Sequence, residues 1–410
     1  MAAATCSPYR GSEHYVGWVW LLAAARLHDV HLLCADYDTG YLDRARNEGL
    51  LPENVTFTPV GQPVWPFSKD RFIARLQTWK RAKEFHQACA RKMVEVASSE
   101  SFDIAHHTSI ATWRLGSPLV DLDLPLVWGP IGGGEPFPLR YLGTLTPKAM
   151  ILELGRIAST RRNYFNPATR RTIRDAAVVI STNEDTENLL RRLGRRRPVM
   201  RCPMLLEETR FHRLRELAKE KIRNPKLLRI FSGGTLEGRK GVFLSLRALA
   251  LLRQQGIPFH YTFGNHGPDG PACKSLAKSL GLEECVTFID ELTGDGYLKL
   301  LVESDVFLFP SLRDNSPLTL VEAMAAECLA IVLKTGGPGE TVRPDCGVVL
   351  EPSTPAKTIS EIASALSWAW KHPAEAAVLA EAAVDRVRNG FLSSRITDVL
   401  SEAYAAGTNR

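Results

Sequence analysis

The sequence predicts an α/β protein with two Rossmann-like, doubly wound parallel sheets. The chain has 410 residues, more than the roughly 250 to 300 residues at which a single core stops growing. Short β-branched or aromatic runs alternate with helical segments, as in parallel sheets covered by helices on both faces. This alternation occurs twice. We expect domains at residues 1–203 and 204–388, followed by a terminal helix, 389–410, placed to cross back to the first domain.

In the first half, the opening stretch AAATC predicts a weak strand because it is poor in β-branched residues. Helices are predicted near Val19–Leu27 and Phe72–Ser98. Further strands are predicted at Val30–Ala35, Val55–Pro59, Asp103–His106, Leu126–Trp128 and Ala177–Ser181.

In the second half, a strand from Leu227 enters a glycine loop, and a helix follows over Val242–Gln255. Another helix is predicted near Tyr297–Glu303, and the polar stretch between Met200 and Lys226 predicts the interdomain connection. Further strands are predicted at Phe259–Phe263, Val286–Ile289, Val306–Phe309 and Leu329–Leu333. The last predicted helices are Ser360–Trp370 and Glu375–Ala406.

Composition argues against several classes of protein. The most apolar stretch, Leu318–Leu333, carries two glutamates, so no segment predicts a membrane span. The first residues show no secretory signal, and we therefore expect a cytoplasmic protein. The eight cysteines form no C-x-x-C pair, which argues against a zinc site or a disulfide framework. We expect neither a metal nor a cofactor.

Between Arg156 and Arg201 the chain has 12 Arg and no Lys against four acidic residues. A solvated helical face and a surface for an anionic membrane at the cytoplasmic face are both open interpretations. The run RRLGRRR at Arg191–Arg197 has no interleaved aromatic residues and no nucleic-acid-binding motif around it. Nucleic acid is therefore not expected as a partner.

The segment from Phe309 to Glu340 predicts strand, loop, helix, strand and loop. We expect Ser316 to be the helix N-cap and Pro317 the first helical residue, since proline lacks an N–H that would have no acceptor there. The N–H groups of residues 318–320 would then form a seat for a diphosphate. Glu322 on this helix lies between two buried strands, where a charged side chain is costly and therefore indicates a functional role. The alternative is a plain surface carboxylate.

A second anion signal is SGGTLEGRKG, from Ser232 to Gly241. Gly233 and Gly234 permit close approach of the backbone, and Lys240 supplies a positive charge, although this is not a Walker loop. Two such loops at the carboxyl ends of strands in one sheet predict a ligand site there.

These residues give the chain a resemblance, over nearly its whole length, to the family 4 (group 1) retaining glycosyltransferases with the GT-B fold. The family's E-x₇-E motif corresponds to Asp314 and Glu322, with Asp in place of the first Glu. The family's loop, usually with Arg five residues before Lys-Gly, corresponds to Thr235 and Lys240. Thr235 thus departs from the pattern, and the neighbouring Arg239 is the candidate to compensate.

In the first half, the resemblance rests on SPYRGSEHYVGW, FDIAHHTSIATWR and LPLVWGPIGGGE. It implies loops facing the cleft between the domains at Gly11, Gly133 and Gly134. His107, in preference to His106, would stand for the family's active-site histidine; a buried structural pair of histidines is the alternative.

The resemblance implies transfer of a hexose from a nucleotide sugar, UDP-hexose or GDP-mannose, to a hydroxyl acceptor, with retention and without a metal. The acceptor would be a glycan, a lipid-linked glycan or a metabolite, in polysaccharide or glycoconjugate biosynthesis. Glu322 would bind the ribose. Asp314, Asn315 and His107 would bind the donor sugar. The implied diphosphate contacts are Gly234, Thr235, Arg239, Lys240, Ser316, Leu318 and Thr319, and the residues implied to carry the reaction are Lys240, Asp314, Glu322 and His107.

Two other functions remain open. The Asp314 and Thr235 departures leave room for a GT-B-shaped protein that binds a nucleotide sugar without turning it over. A metal-dependent GT-A transferase would need a D-x-D triplet at a strand end. The two such triplets are Asp36-Tyr37-Asp38 and Asp121-Leu122-Asp123.

Overall fold

The computed structural model describes residues 1–10, 13–61, 71–110, 112–264, 267–290, 292 and 294–408, with the backbone alone over 71–79. The chain divides into two compact units. The first unit comprises residues 1–134, 160–203 and 393–410, and the second comprises 135–159 and 204–392. No helix in the described part of the chain has the length and apolarity of a membrane span.

The first unit contains, among its described residues, a seven-stranded parallel sheet in the order β3-β2-β1-β4-β5-β6-β7. β1 has only two residues, yet it lies in the middle of the sheet and is fully buried. The strands are β1 (Ala2–Ala3), β2 (Val30–Cys34), β3 (Val55–Pro59), β4 (Ala105–Ser109), β5 (Leu126–Ile131), β6 (Val178–Ser181) and β7 (Val199–Arg201).

The helices that the chain forms as far as Arg201 are α1 (Glu13–Ala25), α2 (Asp36–Asn47), α3 (Arg71–Ser99), α4 (Pro147–Asn163), α5 (Pro167–Asp175) and α6 (Glu184–Arg192). Two 3₁₀ turns, Trp113–Leu115 and Leu139–Thr144, lie among them. The last helix of the chain, α15 (Arg395–Thr408), packs on α1 and on β5 and β6. The final segment of the chain therefore returns to the first unit, as the sequence predicts.

The second unit contains, in the part of the chain that the structure describes, a six-stranded parallel sheet in the order β10-β9-β8-β11-β12-β13. Its strands are β8 (Leu228–Ser232), β9 (Phe259–Gly264), β10 (Val286–Ile289), β11 (Val306–Phe309), β12 (Leu329–Leu333) and β13 (Val348–Leu350). Its helices are α7 (Glu208–Ala218), the 3₁₀ turn Gly238–Lys240, α8 (Val242–Gln254), α9 (Gly270–Ser279), α10 (Gly294–Glu303), α11 (Leu318–Ala325), α12 (Gly336–Thr341), α13 (Pro355–Lys371) and α14 (Pro373–Gly390).

The predicted α/β class with two parallel sheets is confirmed, and most predicted strands lie within two residues of their observed positions. The limits of the units differ from the predicted domain limits in two segments, 135–159 and 389–392, both of which belong to the second unit. Residues 135–159 pack with the second unit because Phe137 and Tyr141 enter its hydrophobic core, where the Tyr141 hydroxyl lies 2.7 Å from Thr358 Oγ1.

The order of strands in the second sheet reverses between β8 and β11. The chain first runs outward from β8 through β9 to β10, and then returns to place β11 on the other side of β8. The loops that leave β8 and β11 therefore start side by side at the carboxyl edge of the sheet. Open α/β sheets bind ligands at this kind of reversal.

Candidate functional site

The loop after β8 and the loop after β11 are packed against each other. The N–H of Leu312 donates to the carbonyl of Arg239 (2.8 Å), and Arg239 Nη1 donates to the carbonyl of Arg313 (3.0 Å). Gly241 has a φ of +77°, and a Cβ atom built there would lie 2.0 Å from the Pro310 carbonyl oxygen. Only glycine allows this close contact between the loops.

Lys240 and Asp314, which the sequence analysis placed in these loops, form an ion pair. Arg239 Nη1 lies 3.8 Å from the same carboxylate, and the Lys240 ammonium lies 5.0 Å from the centroid of the Phe309 ring. Burial favours the neutral form of Asp314, but Lys240 and Arg239 outweigh this effect and hold its pKa below the usual value. Asp314 is thus ionised at neutral pH, and its charge is directed at the two cations.

A second ion-pair cluster fixes the middle of the loop after β11. Arg313 donates from Nε and Nη2 to the two oxygens of Glu153, each at 2.9 Å. Arg156 adds a contact to Glu153 at 3.4 Å and donates to the Glu135 carbonyl at 3.2 Å. Burial raises the pKa of Glu153, but the adjacent Arg313 and Arg156 bring it below the ordinary value. Bidentate pairs of this kind restrict geometry as well as charge.

The start of α11 differs from the prediction. The helix begins at Leu318, and Pro317 is its N-cap, with an extended ψ of 107° and no side-chain cap. Ser316 does not cap the helix, because its hydroxyl accepts instead from the backbone N–H of Met204 at 2.8 Å. The N–H of Leu320 donates to the Pro317 carbonyl (3.1 Å). The predicted N-cap at Ser316 and first helical residue at Pro317 are therefore wrong by one position.

The remaining N–H groups of the first turn of α11 belong to Leu318 and Thr319, and N–H groups in a first turn have no acceptor within their helix. Asn315 precedes this turn, and its N–H donates to Asp314 Oδ1 at 3.1 Å. Thr235 lies in the facing loop, partly exposed, and its carbonyl accepts from the Glu237 N–H at 2.7 Å.

Glu322 is buried on α11, with 6% of its surface exposed. Its Oε1 accepts from Arg210 Nε (3.0 Å) and Nη2 (2.9 Å), and its Oε2 accepts from the Tyr297 hydroxyl (2.7 Å). Burial raises the pKa of Glu322 above its ordinary value, against the opposing effects of Arg210 and Tyr297. The alternative of a plain surface carboxylate at Glu322 is therefore wrong.

Arg210 was missed because its segment was interpreted as an interdomain connection. The structure instead forms α7 there, with Phe211, Leu214 and Ala218 buried. Their spacing of three and four residues is that of one helical face. This signal could have identified the helix in the sequence.

A cavity of about 300 Å³ lies beside these groups in the second unit. Gly233, Gly234 and Thr319 bring to it the residues of the two loops, and Arg210 and Tyr297 bring the partners of Glu322. The other lining residues are Phe231, Gly264, Leu292 and Gly294. The cavity thus adjoins both the predicted diphosphate loops and the Glu322 cluster.

In the first unit, both candidate histidines are buried, in agreement with the alternative of a structural pair. His107 is 1% exposed; its Nε2 lies 3.1 Å from the Ser109 carbonyl, and its ring lies edge-on to His86. Burial holds the pKa of His107 well below its ordinary value. His106 lies between Tyr404 and the Gly129 carbonyl, each at 2.8 Å. Contact of His107 with a donor sugar stays a prediction.

The predicted glycine loops of the first unit are only partly described. Gly11 lies outside the described residues. Gly133 accepts from Trp113 Nε1 at 3.0 Å. Gly134 donates to Thr186 Oγ1 at 3.2 Å, and a Cβ there would lie 2.5 Å from the Thr186 Cα. These two glycines are therefore packed against neighbouring segments of the first unit.

Comparison with known proteins identifies the class. The family profile described as "Glycosyl transferases group 1" matches residues 215–383, and the "Glycosyl transferase 4-like domain" profile matches residues 10–203. The chain belongs to the family 4 (group 1) glycosyltransferases with the GT-B fold. The GT-A alternative is therefore wrong. Of its triplets, Asp38 is buried near His14 (3.3 Å), and Asp121 pairs with Arg171 (2.6 Å).

Two curated relatives are biosynthetic glycosyltransferases. The amylovoran biosynthesis glycosyltransferase AmsK of Erwinia amylovora is 30% identical over 34% of this chain and 36% of its own length. The putative colanic acid biosynthesis glycosyltransferase WcaL of Escherichia coli is 25% identical over 56% of this chain and 57% of its own length. The chain thus matches less than two thirds of either relative.

Two solved structures share the fold over nearly the whole chain. Sucrose-phosphate synthase from Thermosynechococcus elongatus has a TM-score of 0.66 at 16% identity, covering 97% of this chain and 93% of that one. HepE of Anabaena, solved in complex with UDP, has a TM-score of 0.64 at 15% identity, covering 97% of this chain and 98% of that one. At these identities the likeness shows the fold.

Proposed function

We propose that the protein transfers a hexose from a nucleoside-diphosphate donor to a hydroxyl acceptor, with retention of anomeric configuration and without a metal. The convergence of Lys240, Arg239 and the first turn of α11 at the reversal point of the second sheet carries this proposal. Cations and free N–H groups at one point suit a diphosphate. The HepE complex supports UDP as the carrier, and GDP is the other nucleotide to test.

In the proposed reaction, the bond between the anomeric carbon and the diphosphate oxygen breaks while the acceptor oxygen bonds to the same face of that carbon. The acceptor proton passes to the leaving phosphate oxygen. Lys240, Arg239 and the N–H groups of Leu318 and Thr319 stabilise the charge that develops on the diphosphate. Asp314 and Asn315 bind hydroxyls of the donor sugar, and Glu322 binds the ribose.

The acceptor is proposed to be a growing or lipid-linked glycan, since the relatives AmsK and WcaL are named for amylovoran and colanic acid biosynthesis. We further propose that the protein works in the cytoplasm, with peripheral contact to an anionic membrane. Exposed arginines of the basic stretch, such as Arg161, Arg162, Arg196 and Arg197, support this contact.

The test is a thermal-shift screen against UDP-, GDP-, ADP- and dTDP-sugars, followed by measured release of the nucleoside diphosphate from the donor that stabilises the protein. Lys240→Ala is expected to lower this release about 10²- to 10³-fold, the usual effect of removing one preorganised charge-stabilising group. Lys299→Ala, which changes an exposed lysine of α10, is the control. Equal release by wild type and Lys240→Ala would contradict the proposal.

Two further measurements test the finer points. NMR of the product is expected to show the donor's anomeric configuration, and EDTA is expected to leave the rate unchanged. Inversion or loss of activity in EDTA would contradict retention or metal independence. The non-catalytic alternative, suggested by Asp314 and Thr235, predicts that the donor is bound but that no nucleoside diphosphate is released.

A further inference from the structure

Arg210 belongs to no motif of the sequence analysis, yet it connects the cavity to a buried carboxylate. It lies on α7, and the buried residues Phe211 and Leu214 pack that helix against the rest of the second unit. Two of its nitrogens reach one oxygen of Glu322, at 3.0 and 2.9 Å. The same side chain lines the cavity.

Tyr297 completes the contacts of this carboxylate. Its hydroxyl donates to the other oxygen of Glu322 at 2.7 Å. The Arg210 guanidinium lies 5.8 Å from the centroid of the Tyr297 ring, and the Phe231 ring meets that ring edge-on at 6.1 Å. Arg210 and Tyr297 together restrict the conformations that Glu322 can adopt.

The two donors do not saturate the carboxylate. Each carboxylate oxygen has two lone-pair directions. The two nitrogens of Arg210 use both directions of Oε1, and the Tyr297 hydroxyl uses one direction of Oε2, so Glu322 keeps one acceptor site, on Oε2. A hydroxyl suits that site, and the ribose of a nucleotide carries hydroxyls and is attached directly to the phosphate.

We propose that Arg210 is a positioning residue that, together with Tyr297, holds Glu322 as a fixed, ionised acceptor for a ribose hydroxyl of the bound nucleotide. The inference rests on the proposed function and adds a residue that selects ribonucleotides over deoxyribonucleotides. Without Arg210, a carboxylate this deeply buried is left unpaired, which is costly. Burial already raises the pKa of Glu322, so the group would take up a proton and lose acceptor capacity.

The experiment compares binding of UDP and GDP with that of their 2′-deoxy and 3′-deoxy counterparts by calorimetry. Wild type is expected to bind the ribonucleotide about 10- to 100-fold more tightly than at least one deoxy form, the range for one hydrogen bond to a charged group. Arg210→Met is expected to bring this ratio close to one by weakening ribonucleotide binding. Arg210→Lys keeps the positive charge and is expected to retain part of the preference for the ribonucleotide.

Two further variants keep the test independent of folding defects. Tyr297→Phe removes only a hydroxyl and is expected to lower the ratio several-fold. In a Glu322→Gln background, Arg210→Met is expected to have no additional effect, because Arg210 acts through the carboxylate. Arg213→Ala, on the same helix with an exposed partner in Asp295, is the control and should leave the ratio unchanged.

An unchanged ratio in Arg210→Met, or equal weakening of the ribo and deoxy forms, would overturn this inference and leave the proposed function intact. Failure of wild type to bind any of these nucleotides would overturn the proposed function and the inference with it.

Discussion

Asp314 illustrates how a single residue can have a different effect from the one its motif suggests. The carboxylate pairs with Lys240 and lies 3.8 Å from Arg239, the two cations proposed to hold the diphosphate. A bound diphosphate would therefore compete with Asp314 for the same cations. Asp314 is expected to weaken binding of the nucleoside diphosphate product while assisting the sugar transfer.

Asp314→Asn is accordingly expected to bind UDP about 10-fold more tightly and to turn over the donor at least about 10²-fold more slowly. The first effect follows from removing a competing charge, where about 1.4 kcal/mol gives a tenfold change. The second follows from losing a contact to the sugar in the transition state. Calorimetry and donor turnover measure the two.

Glu351→Gln is the matched control, since Glu351 pairs with Lys334 on the surface. It should change neither quantity. Weaker or unchanged UDP binding by Asp314→Asn would show that the carboxylate does not compete with the diphosphate.

At the level of elements, the site depends on two loops that start at neighbouring strands. The parallel pairing of β8 and β11 places Ile230 opposite Val306 and Phe231 opposite Phe307. Gly241 then lets the end of one loop contact the Pro310 carbonyl of the other. Lys240 is held next to Asp314 by this contact between backbones.

Gly241→Ala tests this arrangement against a matched variant, Gly256→Ala. Both glycines have a left-handed φ, +77° and +72°, but a Cβ at Gly256 would meet open space. Each variant should lose about 1–2 kcal/mol of unfolding free energy from the left-handed conformation. Gly241→Ala should also lose most donor turnover, because the loops must separate.

Denaturant unfolding measures the cost of the left-handed conformation in both variants, and donor turnover measures the effect of separating the two loops. Equal turnover by both variants would mean that close packing of the loops is not needed for the site.

The sequence predicted the strands well because their continuous apolar runs between polar loops have few other interpretations. β8, β11 and β12 are examples, since each is buried on both faces or nearly so. The sequence analysis failed to predict α7, because this helix has many charged residues and only a narrow apolar face. It also placed the N-cap of α11 wrongly, at Ser316. The cap of α11 could not be predicted, because the partner of the Ser316 hydroxyl, Met204, is distant in sequence.

For the molecule as a whole, the basic stretch from Arg156 to Arg201 is not one uniform surface. Arg156 is buried against Glu153. Arg195 is buried and donates to the carbonyls of Ile173, Ala176, Ala177 and Pro198, and burial lowers its pKa to about 10. These two arginines stabilise the fold, whereas the exposed ones remain available to an anionic surface.

A variant without four of the exposed arginines is therefore expected to bind vesicles containing anionic lipid about two orders of magnitude more weakly, or weaker still. In this variant, Ala replaces Arg161, Arg162, Arg196 and Arg197. Each basic residue near such a surface contributes about 1 kcal/mol. Vesicle sedimentation at fixed ionic strength measures the effect. The control variant loses the same charge from four exposed lysines and should bind like wild type. In it, Ala replaces Lys299, Lys334, Lys357 and Lys371.

Equal vesicle binding by wild type and the arginine variant would contradict the proposed membrane contact.

The most direct test of the diphosphate site is a crystal structure of the protein with UDP, or with GDP if that nucleotide binds more tightly. The β-phosphate is expected within hydrogen-bonding distance of the Lys240 ammonium and of the N–H groups that open α11, with the ribose beside Glu322. A nucleotide bound at another edge of the second sheet, with Lys240 still paired to Asp314, would contradict the proposed site.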